Sequence, residues 1–130
     1  MNTLTISPET LSALTKQAFL VAGFPECDAE AAAEILVTTE LMGISTHGVS
    51  RLDQYLKRVK AGVVKAVPNV SMDNRAPALA IIDGDDGQGQ IIAARALELA
   101  MAKARENGIA YVAVKNSNHF GATAPYLSLI

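Results

Sequence analysis

The stretch Ala78–Gln90, ALAIIDGDDGQGQ, reads as a short buried strand, a glycine-rich turn and the opening of a helix. Ala78 to Asp83 is an apolar run of strand length. An alanine-rich helix follows from about Gln90 to Asn107, with Gly108 as its stop. Ile109 to Lys115, IAYVAVK, is then a second strand, and Asn116 to Gly121 is a loop. Ala122 to Leu129 begins another helix. Strand, helix and strand in this order predict a β-α-β unit with parallel strands, which needs further strands beside it to bury both faces. The glycines of residues 84–89 follow G-x-x-G-x-G, not the dinucleotide fingerprint G-x-G-x-x-G, and no Gly-Lys-Ser/Thr follows for a P-loop. A tight turn that needs positive φ is the expectation there.

Toward the N-terminus the period changes to helical. Ser7 is an N-cap with Pro8 at the first helical position, and Leu11, Leu14, Ala18 and Val21 repeat at helical spacing before Gly23. A second helix runs from Asp28 to Met42 and stops at Gly43. A third runs from about Gly48 to Ala61, with Val49, Leu52, Tyr55, Leu56 and Val59 as its buried stripe and Gly62 as its stop. Pro68 and Pro77 bracket a polar link. The fold class is therefore α/β: a helical region over residues 1–67, then an incomplete α/β region over 68–130.

Composition narrows the function classes. The 130 residues are 50% hydrophobic, 18% charged and 5% aromatic, with a formal charge of −2 and no Trp. Disorder, a basic nucleic-acid surface and an aromatic stacking platform are all disfavoured. No signal peptide and no membrane-spanning run are read, so a cytoplasmic location is expected. The lone Cys27 rules out an internal disulfide, and its flanking Glu26 and Asp28 are the opposite of the electropositive setting of a nucleophile. No metal site is expected: the two histidines lack a helically spaced partner ligand, and the aspartates at 83, 85 and 86 do not follow the EF-hand pattern.

Both histidines lie in loops beside glycine. His47 falls in GISTHGVSR (Gly43–Arg51), with Arg51 four residues on, and Gln54 and Arg58 extending the polar stripe. A histidine exchanges protons near neutrality and an arginine grips a carboxylate with a planar fork, a combination that suits a small 2-oxo or 2-hydroxy acid. Thr46 can orient the imidazole. The structural alternative is a Ser45 or Thr46 N-cap, a first-turn histidine and a solvated arginine. His119 lies in NSNHFGAT (Asn116–Thr123), after a strand and before a helix, where α/β proteins commonly bind ligands. Its alternative is a polar loop that satisfies its own backbone.

The segment GISTHGVSRLDQYLKRVKAG (Gly43–Gly62) resembles the signature of the type 2 malate/L-lactate dehydrogenase family, and NSNHFGATAPY (Asn116–Tyr126) resembles a later landmark of it in the expected order. That family includes ureidoglycolate and sulfolactate dehydrogenases, diketogulonate reductase and a reductase of cyclic imino acids. The resemblance implies NAD- or NADP-dependent oxidoreduction of a small anionic 2-hydroxy, 2-oxo or imino acid on a non-Rossmann fold, as a homodimer when full length. It implies His47 as the proton-transferring acid/base, Thr46 in the place of a relay serine, and Arg51 on the substrate carboxylate. It implies His119, Phe120, Gly121, Ala122 and Thr123 along the cofactor. Ser45 stands where the family commonly carries an acidic residue.

Family members are longer, so the resemblance implies the N-terminal portion of a dehydrogenase that is inactive alone. A competing expectation is a non-catalytic truncated module that associates with a partner chain through its unpartnered strands. A third is a stand-alone ligand-binding domain whose glycine turn holds phosphate. Neither a nucleic acid nor a membrane is an expected partner.

Overall fold

The structure, a computed structural model, describes residues 5–130, with the backbone alone for Leu129. The first four residues of the expected helical region lie outside the described residues. Helix α1 (Pro8–Val21) begins as its sequence dictates: the Ser7 hydroxyl accepts from the Thr10 N–H at 3.2 Å, with Pro8 in the first turn. Leu14 and Val21 are 60% and 80% exposed, while Thr15 and Phe19 are buried. Thr15 is tolerated inside because its hydroxyl donates to the Leu11 carbonyl at 2.8 Å, so no polar group is stranded. Helix α2 (Glu26–Leu41) starts two residues earlier than expected and buries Ala29, Ala32, Ala33 and Leu36.

After Gly43 (φ 77°) the chain turns through residues 45–47, forms a 3₁₀ turn at Val49–Arg51 and continues as α3 (Leu52–Lys60). Phe19, Phe24, Ala29, Ala32, Leu36 and Tyr55 make one core cluster, closed by Ile91 from the next helix. Phe19 and Phe24 meet edge to face, centroids 5.2 Å apart. Burial of each such side chain contributes roughly 1.5–3 kcal/mol.

The sheet has three strands in the order β1 (Ser71–Ala76), β2 (Leu79–Gly87), β3 (Tyr111–Ser117). Strand β1 corrects the polar link expected between Pro68 and Pro77: it is antiparallel to β2 and exposed throughout. Pairing with β2 creates it, and a strand without a buried face carries no apolar alternation to read. The expected β-α-β unit is present as β2, α4 (Gly89–Asn107) and β3, with β2 and β3 parallel. Ala80, Ile82 and Gly84 of β2 turn toward α4, where Ile82, Ile92 and Ala96 form a second core cluster. Helix α4 ends on Gly108 (φ 80°), as its sequence position predicted. A short α5 (Ala124–Leu129) packs back on α2.

The glycine turn behaves differently from its expectation. β2 runs through it as a bulged strand, its register against β3 shifting between Asp83 and Gly87. Positive φ falls on Asp85 (46°) and Asp86 (57°), not on the glycines of that segment. The Asp83 carboxylate pins the bulge, accepting from the Asp85 N–H at 3.1 Å and from Asn116 Nδ2 at 3.0 Å. Those hydrogen bonds hold its carboxyl below the usual range, the Asp85 N–H contributing most. The glycines serve clearance: a side chain on Gly89 would run into the backbone carbonyls of Asn118 and His119.

Candidate active site

Two loops converge on one point. The turn before α3 presents His47, and the loop after β3 presents His119, 72 residues away in sequence. Their rings stack, centroids 5.7 Å apart and planes within 25°. On the first side Glu40 of α2 shapes the turn by accepting the Val49 N–H at 3.1 Å, with Gly48 pressed against it so closely that a side chain there would collide. His47 Nδ1 and Thr46 Oγ1 are 3.0 Å apart. Arg51 Nε donates to the Thr46 carbonyl at 2.7 Å and its Nη1 to Gln54 at 3.0 Å. Arg51 is thus tied into the turn that carries His47, and no side chain from Ser45 or Thr46 caps the turn.

On the second side the loop is fastened at three points. Asn118 accepts from Arg58 Nη2 at 2.8 Å and donates to the carbonyls of Asp86 and Gly87 at 3.0 and 3.2 Å. The buried Tyr126 donates to the Phe120 carbonyl at 2.7 Å, and burial pushes its phenol pKa up. His119 Nδ1 receives the Gly121 N–H at 3.2 Å and lies 2.9 Å from the Tyr55 hydroxyl. Burial lowers the His119 pKa, and the neighbouring His47, Arg51 and Arg58 lower it further. Burial and these neighbouring groups all favour the neutral ring. Phe120 is exposed at the mouth of a groove of about 340 Å³ between α4 and β3, lined also by Gly89, Ala93, Ala96 and Val114.

The structure thus brings Thr46, His47, Arg51 and His119 together, with Gly121 turning back toward the His47 carbonyl. Ala122 and Thr123 lead from this loop into α5. Sequence reasoning took Tyr55 only as a core residue, although its place between Arg51 and Arg58 at helical spacing is the signal of a polar end on that face. It did not single out Glu40 or Gln90. Among the described residues no group of three His, Cys, Asp or Glu side chains is placed to hold a metal ion, and no helix is long and apolar enough to cross a membrane.

A neutral imidazole stacked on a second one, beside a guanidinium, is a centre suited to proton transfer on a small anion, carried on a mixed α/β fold. The chain belongs to the malate/L-lactate dehydrogenase family, whose model matches residues 6–130. It is 37% identical over 124 residues to the L-sulfolactate dehydrogenase of Methanocaldococcus jannaschii, covering 95% of this chain and 36% of the relative. It is 41% identical over 104 residues to a malate dehydrogenase of Pyrococcus abyssi, covering 80% of this chain and 29% of the relative. The solved malate dehydrogenase of Pyrococcus horikoshii superposes with a TM-score of 0.94 at 34% identity, over 97% of this chain and 36% of that one. The chain therefore spans about a third of the length of these relatives.

Proposed function

We propose that this chain supplies the proton-transfer side of a nicotinamide-dependent dehydrogenase acting on a small 2-hydroxy or 2-oxo acid. The observation that carries the reading is the face-to-face placement of His47 and His119 by two separate loops. In the oxidative direction His47 Nε2 takes the proton of the substrate hydroxyl as its carbonyl forms. In the reductive direction it returns a proton to the carbonyl oxygen. Thr46 at Nδ1 fixes the ring so that Nε2 faces the substrate. Arg51 Nη2 has no protein partner among the described residues and is the group for the substrate carboxylate. His119 offers an N–H to an oxygen in the site without adding charge.

The groove beside the loop fits part of a nicotinamide cofactor. Its small side chains at Gly89, Ala93 and Ala96 leave room for a planar ring against Phe120, while about 340 Å³ is too little for a dinucleotide. His119 to Thr123 are the residues that would line it. When bound, the nicotinamide accepts or supplies the hydride. NAD and NADP both satisfy this reading. So does a homodimer as the assembled form.

The test is a graft. Residues 6–130 replace the matched segment of the M. jannaschii L-sulfolactate dehydrogenase, and reduced-cofactor oxidation is followed with a panel of 2-oxo acids. The expected outcome is turnover with His47 present and a kcat lower by roughly 100- to 10,000-fold in His47→Ala. A folded graft whose rate survives His47→Ala removes His47 from its role.

A further inference from the structure

The bulged end of β2 has no part in the proposed reaction, yet the loop that carries His119 is laid along it. The register shift between Asp83 and Gly87 takes backbone carbonyls out of the ladder with β3. Asn116 leaves the extended conformation beside it (φ 49°), and its Nδ2 donates to both Asp83 carboxylate oxygens at 3.1 and 3.0 Å. Two residues on, Asn118 Nδ2 donates to the carbonyls of Asp86 and Gly87 at 3.0 and 3.2 Å. The bulge is thus a docking edge for the loop.

The opposite end of the Asn118 amide faces α3, where its Oδ1 accepts from Arg58 Nη2 at 2.8 Å. The partners fix the orientation of this amide, since a carbonyl only accepts and a guanidinium only donates. One side chain therefore joins α3, the bulge and the loop at the residue before His119. The same face of α3 reaches His119 itself: Tyr55, three residues before Arg58, has its hydroxyl 2.9 Å from Nδ1. Among the described residues no carboxylate pairs with Arg58, and its Nε is buried without a hydrogen bond. For a half-buried cation, desolvation offsets most of what one bond to a neutral amide contributes to stability. A planar donor carried on a helix does fix the direction of its acceptor.

We propose that Arg58 is a positioning residue that acts through Asn118, locking the loop onto the β2 bulge and so holding the His119 ring stacked on His47. The catalytic weight of this lock rests on the reading of His119 as a site residue; the lock itself does not. Its parts come from three elements, so it forms only when helical layer and sheet are joined. Without it, the ring retains the Tyr55 and Gly121 bonds at Nδ1, but the backbone that carries it loses its tie to α3.

NMR on the labelled 130-residue chain reads the ring geometry directly, as Overhauser contacts between the His47 and His119 imidazole protons. Arg58→Met and Asn118→Ala should each weaken these contacts and move the His119 signals. The double variant should do no more than Asn118→Ala alone, because both changes remove one hydrogen bond. Arg58→Lys, which keeps the charge and a shorter donor, should fall between wild type and Arg58→Met. Ring contacts unchanged in a folded Arg58→Met chain overturn the proposal. So does an unmoved His119 in Asn118→Ala, which leaves the Arg58 charge in place and would show that charge alone acts. If Arg58→Met does not fold, the milder Arg58→Lys decides, and wild-type contacts in it overturn the lock. In the graft described above, Arg58→Met should lower kcat by about 10- to 100-fold and leave KM for the 2-oxo acid within about threefold, since Arg51 is untouched. A loss confined to KM overturns the positioning role. An inactive graft counts against the reading of His119 instead, and the ring contacts still decide the lock.

Discussion

At the scale of single residues, His119 shows how burial and charge select a protonation state. Its loop places the ring beside His47, Arg51 and Arg58, and its pKa falls below the ordinary histidine value. In the unfolded chain a histidine titrates near 6.5. Between that value and the lower folded one, the unfolded state binds more protons, so acid favours unfolding there. Melting temperature should therefore decline as pH falls from about 6.5 through the folded midpoint, and this contribution should be flat above about 6.5. Asp83 and Asp85, also depressed, act in the same direction but only below about pH 4. Thermal melts of the chain and of His119→Gln check this: the variant should lose part of the slope just below pH 6.5, and an unchanged slope rejects it.

At the scale of elements, the site depends on how closely α4 approaches the loop after β3. Gly89 permits that approach, and its α-carbon hydrogen faces the Asn118 and His119 carbonyls. Gly89→Ala should cost roughly 1–3 kcal/mol, because backbone must move to admit the methyl group. The displaced loop should also shift the His119 resonances. Urea unfolding combined with NMR measures both, and an unchanged midpoint with unmoved His119 signals contradicts the packing account.

The same elements show what the sequence made legible. Helix ends were readable where a single residue determines the backbone: Ser7 with Pro8 at the start of α1, Gly43 after α2 and Gly108 after α4. β2 and β3 were readable because each is an apolar run of strand length. β1 was not, since Ser71–Ala76 buries nothing and owes its extended form to the register with β2. The helical spacing of Leu11, Leu14, Ala18 and Val21 did not mark the buried side of α1, where Thr15 enters the core by satisfying its own hydroxyl. In the site, glycine and polar neighbours marked His47 and His119, but their meeting is a tertiary fact. Tyr55 was half legible: its ring belongs to the core and its hydroxyl to His119.

At the scale of the whole molecule, helical layer and sheet are joined rather than strung apart. Ile91 of α4 completes the helical core, and Arg95 of α4 holds the buried Asp28 of α2 through Nη2 at 2.7 and 2.9 Å. This union lets a turn on one side face a loop on the other. The groove between α4 and β3 has a volume of about 340 Å³, and the chain spans about a third of its relatives' length. On the function proposed above, these residues provide proton transfer and an anion grip, while turnover draws on the remainder of such an enzyme. Steady-state oxidation of reduced cofactor with 2-oxo acids, compared between the 130-residue chain and the graft described above, decides this. The chain alone should give no turnover, and the graft should turn over. Turnover by the isolated chain, or a folded, cofactor-binding graft that reduces no 2-oxo acid, would contradict it.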